Sequence, residues 1–260
     1  MATTLGFAPP TERPALQQGA WHRRAATTFG PLVVALAVQP LRPALATAGW
    51  STLAERLTVV NGLLLATLVA TTATDLRRRR IPNALTYPAL VWILLLGAWT
   101  AMRPAAVDTL PAALPSTSPV DAASAAVREF VRIGPTFYES LAGAAACFAV
   151  MLLVFLMNGG GGGDVKLAAV VGAALGVRFG LVALVIAHLA AGAAGLSWSI
   201  VAHGPGTTFG GLGRLFGSAL WPHRILPPSE EQRRFLRFPL PLSPFFLIGV
   251  IVVLLFAGDL

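Results

Sequence analysis

Long apolar runs decide what this chain can become. Residues 57–74, 84–102, 136–157, 165–177, 179–201 and 242–257 are made mostly of Leu, Val, Ala, Ile, Phe and Gly, with almost no charge inside them. A helix crosses the roughly 30 Å hydrocarbon core of a bilayer in about 20 residues. Water is missing there, so runs of this length must satisfy their backbone amides and carbonyls internally, as helices. The expectation is an all-α polytopic membrane protein with about six transmembrane helices. The run 165–177 is short for a full crossing and needs tilt, local thinning or burial among the others. Gly176 and Gly180, on either side of Arg178, supply a break between it and 179–201.

Composition agrees with a membrane setting. Only 12% of residues are charged and 55% are hydrophobic, against about 25% charged in soluble domains. The net charge of +8 would suggest nucleic acid in a soluble protein. In a membrane protein, basic residues mark cytoplasmic loops instead, and no nucleic-acid partner is expected. Arg77, Arg78, Arg79 and Arg80 follow the first run, and Arg214, Arg224, Arg233, Arg234 and Arg237 outweigh Glu230 and Glu231 in loop 202–241. Loop 103–135 balances its arginines against Asp108, Asp121 and Glu129. Both basic loops therefore fall on one side, the cytoplasmic face of an inner membrane. Residues 1–56 are read as an N-terminal extension, either an extra Pro-broken membrane segment or a signal-like segment, ahead of a membrane domain at 57–260. The one cysteine, Cys147, excludes a disulfide framework and paired-Cys metal sites, and it is expected in the core. His22, His188, His203 and His223 have no metal-ligand spacing.

The 11 acidic residues are few enough to sort individually. Glu12, Glu55, Asp108, Asp121, Glu129, Glu230, Glu231 and Asp259 fall in polar segments or at the C-terminus, and Glu139 lies near the outer end of the third run. Asp75 and Asp164 remain, each flush against an apolar run on the expected cytoplasmic side. Asp75 opens "DLRRRRIPN", in which Pro82 stops a helix and Asn83 can cap the next. Asp164 follows Gly161, Gly162 and Gly163, and starts a run as an N-cap or first-turn residue. Glycine there allows a tight turn and the close approach of another chain. Two acids at neighbouring helix ends can share a proton and activate water, one as base and the other as acid. Each also has a plainer role available: Asp75 can pair with Arg78 or Arg79, and Asp164 can simply cap. The four arginines act as a stop-transfer cluster.

Asp75–Asn83, "DLRRRRIPN", together with Gly161–Leu167, "GGGDVKL", resembles the type IV prepilin peptidases, membrane aspartic proteases of the GxGD class. The closing "PLPLSPFFLIGVIVVLL" also resembles that family's last span, and the likeness covers roughly residues 57 to 257. It implies catalytic roles for Asp75 and Asp164, with Gly161, Gly163, Lys166, Pro82 and Asn83 as supporting motif residues. Lys166 matches the family's lysine, where it either snorkels to headgroups or tunes the site; Pro82 and Asn83 are expected to be structural. The implied substrate is a prepilin or pseudopilin with a short basic leader and a hydrophobic helix, cut at the cytoplasmic face in contact with the lipid bilayer. No metal or organic cofactor is implied. A single cysteine cannot form the zinc-binding domain linked to methylation in many members, so the likeness is to the short, peptidase-only type of tight-adherence pili, without methyltransferase activity. The competing expectation is a proton- or cation-coupled transporter whose paired acids lie nearer mid-membrane.

Overall fold

Helices in lipid gain nothing from hiding apolar surface against each other, so close packing at small residues has to hold them together. The computed structural model describes residues 27–47, 57–102, 134–158, 161–220 and 241–256. Their regular elements are all helical: α1 (Thr27–Val38), a 3-10 turn (Gln39–Leu41), α2 (Arg42–Thr47), α3 (Val59–Arg78), α4 (Asn83–Ala101), α5 (Phe137–Asn158), α6 (Gly162–His203), α7 (Pro205–Leu220) and α8 (Ser243–Phe256). By length and composition, α3, α5 and α6 are long and apolar enough to cross a membrane, while α1, α4 and α8 are shorter apolar helices. Each of the six predicted runs thus has a helical counterpart, but among the described residues only three helices reach span length. Most of the balanced loop 103–135, and the arginines at 224, 233, 234 and 237, lie outside the described residues. Of the N-terminal extension only 27–47 is described, and there Ala35 of α1 packs on Gly62 of α3.

Helix starts follow local chemistry. The Thr58 hydroxyl accepts the Asn61 amide at 3.2 Å and begins α3. At α5, Glu139 Oε2 accepts both the amide (2.9 Å) and the hydroxyl (3.1 Å) of Thr136. The Thr136 hydroxyl in turn accepts the Glu139 amide at 3.4 Å. This reciprocal cap assigns Glu139 to holding a helix end. The end of α3 is less ordinary: Arg79 takes the left-handed conformation (φ 49°, ψ 41°), and its amide donates to the Asp75 carbonyl at 2.7 Å.

Helix α6 has 42 residues and would extend about 63 Å if straight, twice the hydrocarbon thickness. It is not straight. Gly176, at φ 75° and ψ −178°, occupies a region open essentially to glycine alone. The chain doubles back there, because a Cβ on Gly180 would stand 3.0 Å from the Gly172 Cα, whereas eight residues of continuous helix span about 12 Å. The predicted break between the fourth and fifth runs is this turn. Helix α5 lies against both arms. A Cβ on Gly143 would overlap the Gly172 carbonyl, one on Gly172 would overlap the Gly143 carbonyl, and one on Gly180 would come within 2.9 Å of the buried Cys147 sulfur. Helix α8 packs along the second arm in the same manner, with Gly249 against the Ala183 carbonyl and Phe246, Val250 and Val253 turned into the core.

One segment corrects the sequence reading. Residues 205–220, inside the stretch read as loop 202–241, form α7. Its glycines at 206, 210, 211, 213 and 217 obscure the helical pattern. Pro205 fits the first helical position, and the buried Thr208 hydroxyl lies 3.1 Å from Ser199 Oγ on α6.

Gly143→Ala should lower stability by about 1–3 kcal/mol through overpacking, read as a drop in the unfolding midpoint in detergent. Gly192→Ala, at an α6 position with nothing within 4 Å, should be neutral or gain up to about 1 kcal/mol from helix propensity. Equal midpoints for the two variants would disprove the close α5–α6 approach.

Candidate active site

Asp75 lies on the inward face of α3, in register with Thr67 and Thr71 at four-residue intervals, and is 7% exposed. The two threonines spend their buried hydroxyls on their own helix: Thr67 donates to the Leu63 carbonyl at 2.8 Å and Thr71 to the Thr67 carbonyl at 2.9 Å. Asp75 is the carboxylate that continues this polar line. Its Oδ2 accepts the Ser243 hydroxyl at 2.6 Å, a contact between the last turn of α3 and the first residue of α8. Beyond it the end of α3 and the connection to α4 expose Arg77, Arg78, Arg79 and Arg80.

Asp164 is the third residue of α6, half-buried, with Gly161 in the N-cap position. Its amide donates to the Gly161 carbonyl at 3.0 Å. Its carboxylate folds back, so that a Cβ on Gly161 would sit 3.0 Å from Oδ2. Gly163 faces the other motif: a Cβ there would come within 2.9 Å of Ile81 Cβ. Gly162 meets nothing within 4 Å. The first and third glycines of the GxGD stretch therefore each have a steric reason, and the middle one has none. Through the Gly163–Ile81 contact the two motif loops touch, and Asp164 comes within electrostatic range of Asp75.

A second tie runs beside the first. Lys166 Nζ donates to Asn83 Oδ1 at 2.9 Å and lies 5.1 Å from the centre of the Tyr87 ring, one turn further along α4. This corrects the capping role expected for Asn83. The Pro82 carbonyl accepts the Leu85 amide at 3.0 Å and opens α4, while the Asn83 side chain binds Lys166. Lys166 is thus a strut between α6 and α4, with a cation–π contact added.

The structure brings together Asp75, Asp164, Gly161, Gly163, Lys166 and Asn83, with Pro82 at the start of α4. Both acids stand in the first or last turns of their helices, whereas the transporter expectation placed them nearer mid-membrane. His188 lies elsewhere: its Nδ1 is 2.7 Å from the Leu184 carbonyl, and its ring meets Phe246 edge-on. Ser243 was missed by sequence reasoning. A serine followed by proline at a helix start reads as a cap, and only the Asp75 contact gives it another part.

A family model described as the type IV leader peptidase family matches residues 62–196. No curated protein matches the chain, and no solved structure does. The matched stretch includes both acidic motifs and ends before α8.

The contact between the motifs can be trapped. Ile81→Cys/Gly163→Cys should oxidise to a disulfide, since Cβ atoms this close need only about 1 Å of relaxation to reach disulfide geometry. Ile81→Cys/Gly162→Cys should keep both added thiols free. Alkylation followed by intact mass counts them, and free thiols in the first pair would refute the contact.

Proposed function

We propose, for a chain that belongs to the type IV leader peptidase family, that it is a membrane-embedded aspartic endopeptidase that removes the leader of a prepilin-like protein at the cytoplasmic face. Asp75 and Asp164 are its catalytic pair. The observation that carries this reading is the direct contact of the two motif loops, Gly163 on Ile81, which sets Asp164 in the field of Asp75.

The chemistry follows from two carboxyl groups sharing one proton. The ionised member takes a proton from water as the water oxygen bonds to the scissile carbonyl carbon. The protonated member donates a hydrogen bond to the carbonyl oxygen and stabilises the charge that develops there. Collapse of the tetrahedral intermediate breaks the C–N bond, and a carboxyl proton passes to the leaving amine. Neither step needs a metal ion or organic cofactor.

The surroundings suit a substrate that is itself partly in the membrane. Gly161 and Gly162 are exposed and Asp164 is half-buried, so an extended strand can approach the pair from the glycine side. The hydrophobic helix of the substrate then stays in lipid while its basic leader projects into water. Methyltransferase activity forms no part of the proposed function.

Co-expression with a prepilin carrying a short basic leader tests the proposal through the size shift on a gel. Wild type should process it, and Asp75→Ala and Asp164→Ala should each leave the precursor intact at equal protein levels. Mature product from either variant would rule out the pair.

A further inference from the structure

We propose that Ser243 is a positioning residue for the reaction: its hydroxyl, donated to Oδ2 of Asp75 from the first turn of α8, fixes that carboxylate so that its other oxygen serves the chemistry. The inference rests on the reading of Asp75 as one of the two catalytic carboxylates.

The contact has what an orienting interaction needs. Both partners are enclosed, with Ser243 at 0% exposure and Asp75 at 7%. A carboxylate removed from water needs a protein donor, and 2.6 Å is the length of a strong O–H···O contact to a charged acceptor. Torsion about the last bond of an aspartate side chain is broad and roughly two-fold, so without a fixed donor the two oxygens exchange places easily. With Oδ2 held by Ser243, the carboxylate has one orientation and Oδ1 is left to face water, substrate or Asp164.

The hydroxyl is also free for this part. The start of α8 is already closed by backbone: the Leu242 carbonyl accepts the Phe245 amide at 3.0 Å and the Phe246 amide at 3.1 Å. Pro244, next in the chain, has no amide hydrogen to offer. Ser243 Oγ is therefore the donor that this end of α8 supplies to Asp75. The helix behind it is rigidly seated, with Phe246, Val250 and Val253 in the core and Gly249 against α6. Ser243 also lies outside the stretch matched by the family model, which ends at residue 196. The last helix thereby joins the working site and is more than packing.

The test is steady-state kinetics of the purified full chain in detergent, with a purified prepilin bearing a basic leader and hydrophobic helix as substrate. Ser243→Ala, Ser243→Thr, Asp75→Ala and wild type are compared, and unfolding midpoints are measured alongside. Ser243→Ala should lower kcat by about tenfold, the size expected when a buried acceptor loses its donor, with KM within about twofold of wild type. Ser243→Thr, which keeps the hydroxyl, should recover most of kcat. A packing role alone would move the midpoint without separating kcat from KM and without rescue by threonine. Wild-type kcat in Ser243→Ala while Asp75→Ala is inactive would overturn the role of Ser243 alone, as would equal impairment of the alanine and threonine variants. Cleavage by Asp75→Ala would instead overturn the catalytic pair beneath it.

Discussion

How near the start of α6 can come to the α3–α4 connection governs the whole site. Asp75 and Asp164 belong to helices far apart in the chain, and neither carboxylate can act on the other unless the loops that carry them touch. The missing Cβ at Gly163 makes that possible, because any side chain there would enter the space held by Ile81. Gly161 solves the matching problem on the near side, leaving room for the Asp164 carboxylate to fold back over its own helix start. Lys166 and Asn83 then hold the two elements at that spacing. The charges are set by what the glycines leave out as much as by the acids themselves.

The same principle recurs deeper in the bundle. Lipid gives helices no hydrophobic reason to associate, so van der Waals fit has to supply it. Gly143 and Gly172 allow α5 and the first arm of α6 to meet backbone to backbone, and Gly180 brings the second arm against Cys147. Gly176 contributes differently. A Cβ there would meet nothing within 4 Å, and glycine is needed instead for the φ of 75°. Glycine thus has two separate functions within one short segment: contact distance at 172 and 180, and backbone conformation at 176. Both keep Asp164 at a helix start on the same side as the end of α3.

Much of this was legible in the chain. Apolar run length located α3, α4, α5, both arms of α6, and α8, because lipid leaves few alternatives to a helix. The turn at Gly176 was visible as two glycines around an arginine, and sorting the acids isolated Asp75 and Asp164. What stayed hidden depends on contacts between distant residues. Asn83 looked like a cap, and only the arrival of Lys166 from α6 redirects its side chain. Glu139 stands in the sequence only as an acid near the outer end of the third run, and its contacts with Thr136 make it part of a helix cap. Helix α7 does not stand out along the chain because five glycines in 16 residues dilute the periodic signal by which a helix is recognised.

Ser243 shows why such residues escape a reading made along the chain. In sequence it is a small polar residue before a proline, 168 positions from its partner, and nothing local separates it from a capping serine. Its meaning comes from enclosure. In a membrane setting a carboxylate that turns inward loses water on every side, and the protein must return at least one donor or leave the group uncompensated. Asp164, half-buried beside exposed glycines, keeps access to water from the open edge. Asp75, turned into the bundle, keeps only a small opening, and the donor that holds its Oδ2 comes from α8. The two acids of the pair therefore stand in unlike surroundings, one held by the protein and one turned toward the approach. The proposed reaction, in which one carboxyl group receives a proton while the other gives one, calls for that asymmetry.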